Sequence, residues 1–208
     1  MNKEIKSHLK ILIAGGGSGG HLAPAIAIGE ELLSKGHEVI IGHSDRSIDY
    51  KMLRQNQFKN RVIPAKPFQF SFQGGFKFFI GFLKAVKETK KLINDFKIDG
   101  VISTGGFVAA PALYGAKQAG IPSVLLNLDE PPGKANRIAK QWATVLTSTV
   151  NCNWDNAIII NHPLRSVSIK SIDYQEAAQS LGLSPNLKTL LITGASQGAK
   201  TINELIPK

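Results

Sequence analysis

A chain of 208 residues with 43% hydrophobic side chains is long enough to bury a full domain core and lies outside disordered composition. Its net charge of +10, from 25 Lys and Arg against 15 Asp and Glu, favours anionic partners such as phosphorylated substrates, anionic lipid or nucleic acid. Cys152 is the only cysteine, which excludes an internal disulfide and fits a reducing cytosol, and no apolar run reaches the roughly 18 residues of a spanning helix.

Leu9 to Ala14 is a short apolar run suited to a strand covered on both faces of a parallel sheet. It leads into Gly15, Gly16, Gly17, Ser18, Gly19, Gly20 and His21. Five glycines let the backbone turn sharply and bring its amides close to a ligand. The next segment reads as a helix, with Pro24 in its first turn, apolar positions at Ile26, Ile28, Leu32 and Leu33, and Gly36 as its cap. Its N-terminus favours phosphate or carboxylate above the loop. Three readings compete here. Gly15, Gly17 and Gly20 satisfy the dinucleotide pattern G-x-G-x-x-G, but the acidic residue it needs about 20 positions on is missing, since the second strand runs into Gly42-His43-Ser44 and Asp45 comes late. A plain strand-to-helix turn would not require so many glycines. His21 favours a third reading, in which an imidazole at the mouth of a cleft serves as a general base.

Strand and helix then alternate. Glu38 to Ile41 and Arg61 to Ile63 read as strands flanking a helix at Ser47 to Asn56. Val101 to Ser103, Val124 to Asn127, Val145 to Ser148 and Ile158 to Ile160 are further strand candidates. This order predicts an open, mostly parallel α/β sheet with its ligand crevice at the carboxyl ends of the strands. Between the third and fourth strands, Phe68 to Ile93 carries seven phenylalanines within its first fifteen positions, interleaved with lysines. On a helix its apolar arc is wider than one core contact requires, and Lys77, Lys84 and Lys91 share the remaining face. Such a helix either dips into the headgroup layer of an anionic membrane or lies buried against a neighbouring domain. Gly74 and Gly75 before it either let it adjust or end a loop.

Thr104-Gly105-Gly106-Phe107 is a second glycine turn at a strand end, which suggests one ligand site with two walls. Asp129 and Glu130 follow the next strand as acid or base groups, or as caps of a helix starting near Gly133. Asn161 to Arg165 reads as a boundary. Tyr174 to Leu181 is a short helix, Leu187 to Thr193 a strand, Gly194 to Gly198 a third glycine turn, and a helix starts near Ala199. These elements predict a first domain over 1–162 and the truncated beginning of a second over 163–208. No helix-turn-helix, zinc-finger or RNP-type pattern occurs, so nucleic acid is set aside as a partner.

Five collinear motifs carry a resemblance: Gly15 to His21 with Leu22-Ala23-Pro24-Ala25, Gly105-Gly106-Phe107-Val108 with Pro111, Pro132 to Arg137, Asn161 to Arg165, and Gly194 to Ala199. Together they resemble the MurG family of N-acetylglucosaminyltransferases. The resemblance implies a GT-B architecture of two Rossmann-like domains, without metal or cofactor. It implies inverting transfer of N-acetylglucosamine from UDP-GlcNAc to lipid I, giving lipid II for peptidoglycan at the cytoplasmic face of the cell membrane. On the residues that match, His21 resembles the catalytic base. Gly15 to Gly20, Gly105, Gly106 and Phe107 resemble the loops against the acceptor diphosphate. Ser18, Gly19, Asp129, Arg165, Ser196 and Gln197 correspond to donor-side positions, and Phe76, Lys77, Phe79, Phe82, Leu83 and Lys84 to a peripheral membrane patch. The chain departs from the family pattern at Ser18 for threonine, Phe107 for tyrosine, Asp129 for asparagine and Ala195 for glycine. Alternative implications are a non-catalytic, membrane-docking acceptor subunit of a split enzyme, or a related transferase with another lipid or glycan acceptor.

Overall fold

The computed structural model describes residues 7–67, 72–169, 171–194 and 199–206, with side chains from Phe78 onward in the helix that begins at Phe72. The chain divides into two compact units, Met1–Ser166 and Val167–Lys208.

The first unit is a seven-stranded sheet built from β1 (Lys10–Gly15), β2 (Glu38–His43), β3 (Lys59–Val62), β4 (Gly100–Gly105), β5 (Ser123–Asn127), β6 (Val145–Ser148) and β7 (Ile158–Ile159). Their order is β3-β2-β1-β4-β5-β6-β7, and every pairing is parallel. Parallel neighbours need crossovers, and the first five are α1 (Gly19–Ser34), α2 (Ser47–Arg54), α3 (Phe72–Phe96), α4 (Ala109–Ala119) and α5 (Lys134–Ala139), the last running into a 3-10 turn at Lys140–Trp142, whereas β6 and β7 are joined by residues 149–157 without a helix. This is the Rossmann-like architecture that the alternation predicts.

Side chains alternate across β1, and the two faces build two cores. Leu12 and Ala14 pack with Ile63, Leu92, Val101, Leu113 and Leu125 on the α3–α4 side. Ile11 and Ile13 pack with Leu22, Ile26, Val39, Ile41 and Leu53 on the α1–α2 side. Leu12, Ile13, Leu22 and Ile26 are fully buried, and each stabilises the fold by about 1.5–3 kcal/mol relative to exposure. With helices on both faces, the central strands read as continuous apolar runs rather than as alternating ones.

Several boundaries differ from expectation for local reasons. The helix α1 starts at Gly19 because the Ser18 carbonyl already accepts the His21 and Leu22 amides at 3.3 and 3.2 Å. Pro24 therefore lies in the second turn, opposite the carbonyl of exposed Gly20, which water can satisfy. Gly74 and Gly75 lie within α3 rather than ahead of it. At the far end of α4, Gly120 takes a left-handed conformation, φ 70°, and its amide closes the helix on Ala116 and Lys117.

A short turn of helix, α6 (Ser166–Ile169), follows the sheet, and the second unit continues with α7 (Tyr174–Ser180) and α8 (Lys200–Leu205). Asp173 caps α7, accepting the Gln175 and Glu176 amides. The expected strand at Leu187 to Thr193 does not form: these residues have no regular structure, and Leu190 and Leu191 are 83% and 82% exposed. A parallel strand is defined by its neighbours, and this unit has no strand among its described residues to accept the ladder bonds. Among the described residues no helix is long and apolar enough to cross a membrane.

Candidate active site

Strand order reverses between β1 and β4, so the crevice of this sheet opens where those two strands end. The pairing of β1 with β4 is regular through Ala14 opposite Ser103, then jumps to Gly15 opposite Gly105. Thr104 is the extra residue of a bulge. Bulges re-aim side chains beside functional sites, and this one turns Thr104 onto His21. The Thr104 hydroxyl donates to the His21 carbonyl at 2.7 Å, and His21 Nδ1 lies 3.0 Å from the Thr104 carbonyl. A carbonyl only accepts, so Nδ1 carries a proton, and in the neutral ring Nε2 is the nitrogen that holds the lone pair.

Glycines make this clamp possible. A Cβ on Gly15 would lie 2.2 Å from Thr104 Oγ1, and one on Gly106 would lie 2.6 Å from the Gly16 carbonyl oxygen and 3.1 Å from His21 Cδ2. Gly105 and Gly106 also have φ of 97° and 77°, a region that L side chains rarely adopt. The imidazole therefore packs directly on the second glycine turn.

The first glycine loop is held from β2 and α2. Asp49 is fully buried; its carboxylate accepts the Gly17 amide at 2.8 Å, the Ser44 amide at 3.0 Å and the Ser44 hydroxyl at 2.6 Å. Arg46 donates to the Gly17 carbonyl at 2.7 Å, and its guanidinium lies 5.1 Å from the centre of the Phe107 ring. Both polar groups of Gly17 are thereby committed. The amides of Gly19 and Gly20, in the first turn of α1, have no intrahelical acceptor, Ser18 makes no side-chain cap, and that turn carries no acidic residue. This is the electropositive end of a 16-residue helix.

A buried polar chain lies at the ends of β5 and β6. Asn127 Nδ2 donates to the Asp129 carbonyl at 2.9 Å and to Ser148 Oγ at 3.2 Å, so Asn127 Oδ1 is left to accept Asn136 Nδ2 at 3.2 Å. That sequence of donors fixes the Asn136 amide, whose Oδ1 is buried without a partner. Both ends of the amide lie within 3.1 Å of where a Cβ on Gly105 would be.

His21, the two glycine turns and Phe107 thus come together, with Ser18 and Gly19 beside them. Asp129 and Glu130 are exposed, and α5 has Gly133 at its N-cap with no side-chain cap, so neither acid caps it. Arg165 is not brought to His21. Its Nε lies 3.6 Å from Glu30 and its Nη2 donates to Asn56 at 3.0 Å, beside the C-terminal half of α1. Burial raises the Glu30 pKa, but the Ser166 amide donating to it and the Arg165 charge outweigh that and hold it below its usual value. Ser196, Gln197 and Ala195 lie outside the described residues, as do the side chains of Phe76 and Lys77. On α3, Phe79 and Leu83 are 57% and 49% exposed, with Lys84 exposed beside them. Phe82 instead turns inward against the core, its ring 5.9 Å from Tyr114 and 6.1 Å from Trp142. Among the described residues no three His, Cys, Asp or Glu side chains gather as a metal site.

Sequence reasoning missed Arg46 and Asp49 as site residues, and it placed Thr104 in the second glycine turn without its bond to His21. The signal available for the first two was position: both follow β2, whose carboxyl end adjoins that of β1. A bulge at Thr104 had no signal beyond the glycines that follow it.

Residues 11–147 match the N-terminal domain of glycosyltransferase family 28, and the chain belongs to that family. Among curated relatives, the UDP-N-acetylglucosamine–N-acetylmuramyl-(pentapeptide) pyrophosphoryl-undecaprenol N-acetylglucosamine transferase of Corynebacterium diphtheriae is 32% identical over 95% of this chain and 55% of its own length. The protein of the same name from Streptomyces coelicolor is 34% identical over 95% of this chain and 56% of its own. The crystal structure of Acinetobacter baumannii MurG shares the fold with a TM-score of 0.68 at 22% identity, covering 94% of this chain and 55% of that one. The chain therefore spans little more than half the length of the relatives it matches.

Proposed function

We propose that this chain is the acceptor-binding part of an inverting N-acetylglucosaminyltransferase that moves GlcNAc from UDP-GlcNAc to the 4-hydroxyl of the muramoyl sugar of lipid I, giving lipid II for peptidoglycan. The observation that carries this reading is the imidazole of His21, whose Nδ1 is committed to the Thr104 carbonyl at 3.0 Å, which makes Nε2 the accepting nitrogen of the neutral ring. In the proposed reaction Nε2 takes the hydroxyl proton as the acceptor oxygen attacks the anomeric carbon on the face opposite the diphosphate. The bond from that carbon to the diphosphate oxygen breaks, and UDP leaves with its electron pair. The imidazolium that forms is stabilised by the Thr104 carbonyl.

The acceptor diphosphate would lie over the first turn of α1, at the Gly19 and Gly20 amides, between the two glycine turns. Donor contacts are assigned to Ser18, Gly19, Asp129, Arg165, Ser196 and Gln197; for Arg165 this requires the guanidinium to leave Glu30. UDP-GlcNAc is a substrate, and the reaction so written uses neither metal nor cofactor. The exposed Phe79 and Leu83 with Lys84 would hold the protein peripherally on the anionic cytoplasmic face of the membrane.

The test is transfer of labelled GlcNAc to lipid I by the product of the whole reading frame that contains this chain. His21→Ala is expected to lower turnover by about 10²–10⁴-fold, the usual contribution of a general base, with the circular dichroism spectrum unchanged. Turnover equal to that of the parent would remove His21 from the chemistry.

A further inference from the structure

Glu30 shares α1 with His21 and stands about 13 Å along the helix axis from it. Its carboxylate divides between two partners: one oxygen accepts the Ser166 amide at 2.8 Å, and the other lies 3.6 Å from Arg165 Nε. Arg165 Nη2 donates to Asn56 Oδ1 at 3.0 Å, and Asn56 is itself fixed just past the end of α2 by donating to the Met52 carbonyl at 2.8 Å. The Arg165 and Glu30 side chains are only 27% and 25% exposed, so water and salt screen this pair less than a surface one.

The hold on the guanidinium is incomplete. A separation of 3.6 Å is too long for a hydrogen bond, and Arg165 Nε is buried without a hydrogen-bond partner among the described residues. Arginine binds most strongly when two parallel N–H groups meet two oxygens of one carboxylate or phosphate, and here the second carboxylate oxygen is taken by a backbone amide. The holding place also survives the departure of the guanidinium. Glu30 keeps the Ser166 amide and Asn56 keeps the Met52 carbonyl, so the backbone stays anchored while the long Arg165 side chain turns. An anion offering two free oxygens, such as a phosphate, supplies what this place lacks.

We propose that Glu30 is a positioning residue that sets the affinity for the nucleotide-sugar donor by holding Arg165 in reserve, the donor diphosphate taking the guanidinium in exchange for the carboxylate. The inference rests on the reading of Arg165 as a donor contact, and its test separates the two. Each donor molecule must break the Glu30 pair as it binds, which weakens its apparent affinity by the strength of that pair. UDP-GlcNAc kinetics are measured at saturating lipid I with the product of the whole reading frame that contains this chain. Glu30→Gln keeps an oxygen for the Ser166 amide and removes the charge. It is expected to lower KM for UDP-GlcNAc by about threefold to tenfold with kcat unchanged, whereas damage to the fold would raise KM or lower kcat. Asn56→Ala, which removes the other acceptor, is expected to lower the same KM by a smaller factor and serves where Glu30→Gln fails to fold. Arg165→Ala is expected to raise this KM, and in that background Glu30→Gln is expected to change nothing. Hydrogen exchange at the Ser166 amide of the 208-residue chain reads the anchor without any donor, and Glu30→Ala is expected to speed it.

An unchanged or raised KM in Glu30→Gln, beside a raised KM in Arg165→Ala, would overturn the reserve role of Glu30 and leave Arg165 as a donor contact. An unchanged KM in Arg165→Ala would remove Arg165 from the donor site and the proposal with it. Glu30→Gln lowering KM as much without Arg165 as with it would show that its effect does not pass through the guanidinium, which also overturns the proposal. Ser166 exchange that is equally slow in Glu30→Ala would overturn the anchor on which the exchange of partners depends.

Discussion

Replacing Asp49 by alanine tests whether the glycine loop is held from below by one buried carboxylate. That carboxylate accepts the Gly17 amide at 2.8 Å, the Ser44 amide at 3.0 Å and the Ser44 hydroxyl at 2.6 Å. The hydroxyl can rotate to another acceptor, so the loss falls on two backbone amides left without partners in a buried site. At about 1–3 kcal/mol for each unsatisfied group, Asp49→Ala should destabilise the fold by about 4 kcal/mol. For a domain of 150–250 residues that corresponds to a fall of about 8–16 °C in Tm. Urea denaturation followed by circular dichroism measures it, with Asp45→Ala as control, since Asp45 is exposed and accepts the exposed Tyr50 hydroxyl. The control should change stability by less than about 0.5 kcal/mol. An Asp49→Ala variant within about 1 kcal/mol of the parent would show that the loop finds other acceptors and that the carboxylate does not hold it.

Gly106→Ala should cost about 2–5 kcal/mol, because it adds a left-handed backbone penalty to a contact of 2.6 Å with the Gly16 carbonyl; a urea midpoint equal to the parent's would contradict this packing. Glu30 ionises below its ordinary value of 4.5 in the folded chain. The folded state therefore binds fewer protons than the unfolded one in that range. The resulting stability is present in full above 4.5 and is lost as pH falls through the depressed value. Glu30→Gln should flatten that part of the acid limb in urea midpoints taken between about pH 6 and about pH 3, and an unchanged limb would refute the assignment. Binding to anionic vesicles should weaken as salt rises and weaken further with Lys84→Glu, whereas equal binding to neutral vesicles would remove the lysines from the docking reading.

The sheet was legible because its central strands are buried on both faces. Ile11 to Ala14, Val101 and Leu125 stand out as short apolar runs ahead of glycine or polar turns, and a parallel sheet makes such runs unavoidable. His21 was legible for a related reason: an imidazole directly after a strand and a glycine turn falls at the carboxyl edge of any such sheet. What stayed hidden depended on register or on partners distant in sequence. Nothing local to Thr104 announces an extra residue in β4, and Asp49 reads as an ordinary polar position of a helix whose outer face is charged. Arg165 was read by its motif, yet its nearest partners are Glu30 and Asn56, far away in sequence. The run at Leu187 to Thr193 has the composition of a strand, but composition supplies no neighbour to pair with.

The bulge in β4 ties the imidazole to the sheet rather than to a loop. Loops drift in length and conformation, whereas an irregularity locked between two central strands moves only if the strands themselves slide. Excising Thr104 would therefore straighten the ladder between β1 and β4 and make the scaffold more regular. In the same stroke the proton on Nδ1 would lose its acceptor, and the ring would be free to turn. In this fold, the irregular residue is the one that tells the histidine which nitrogen to offer.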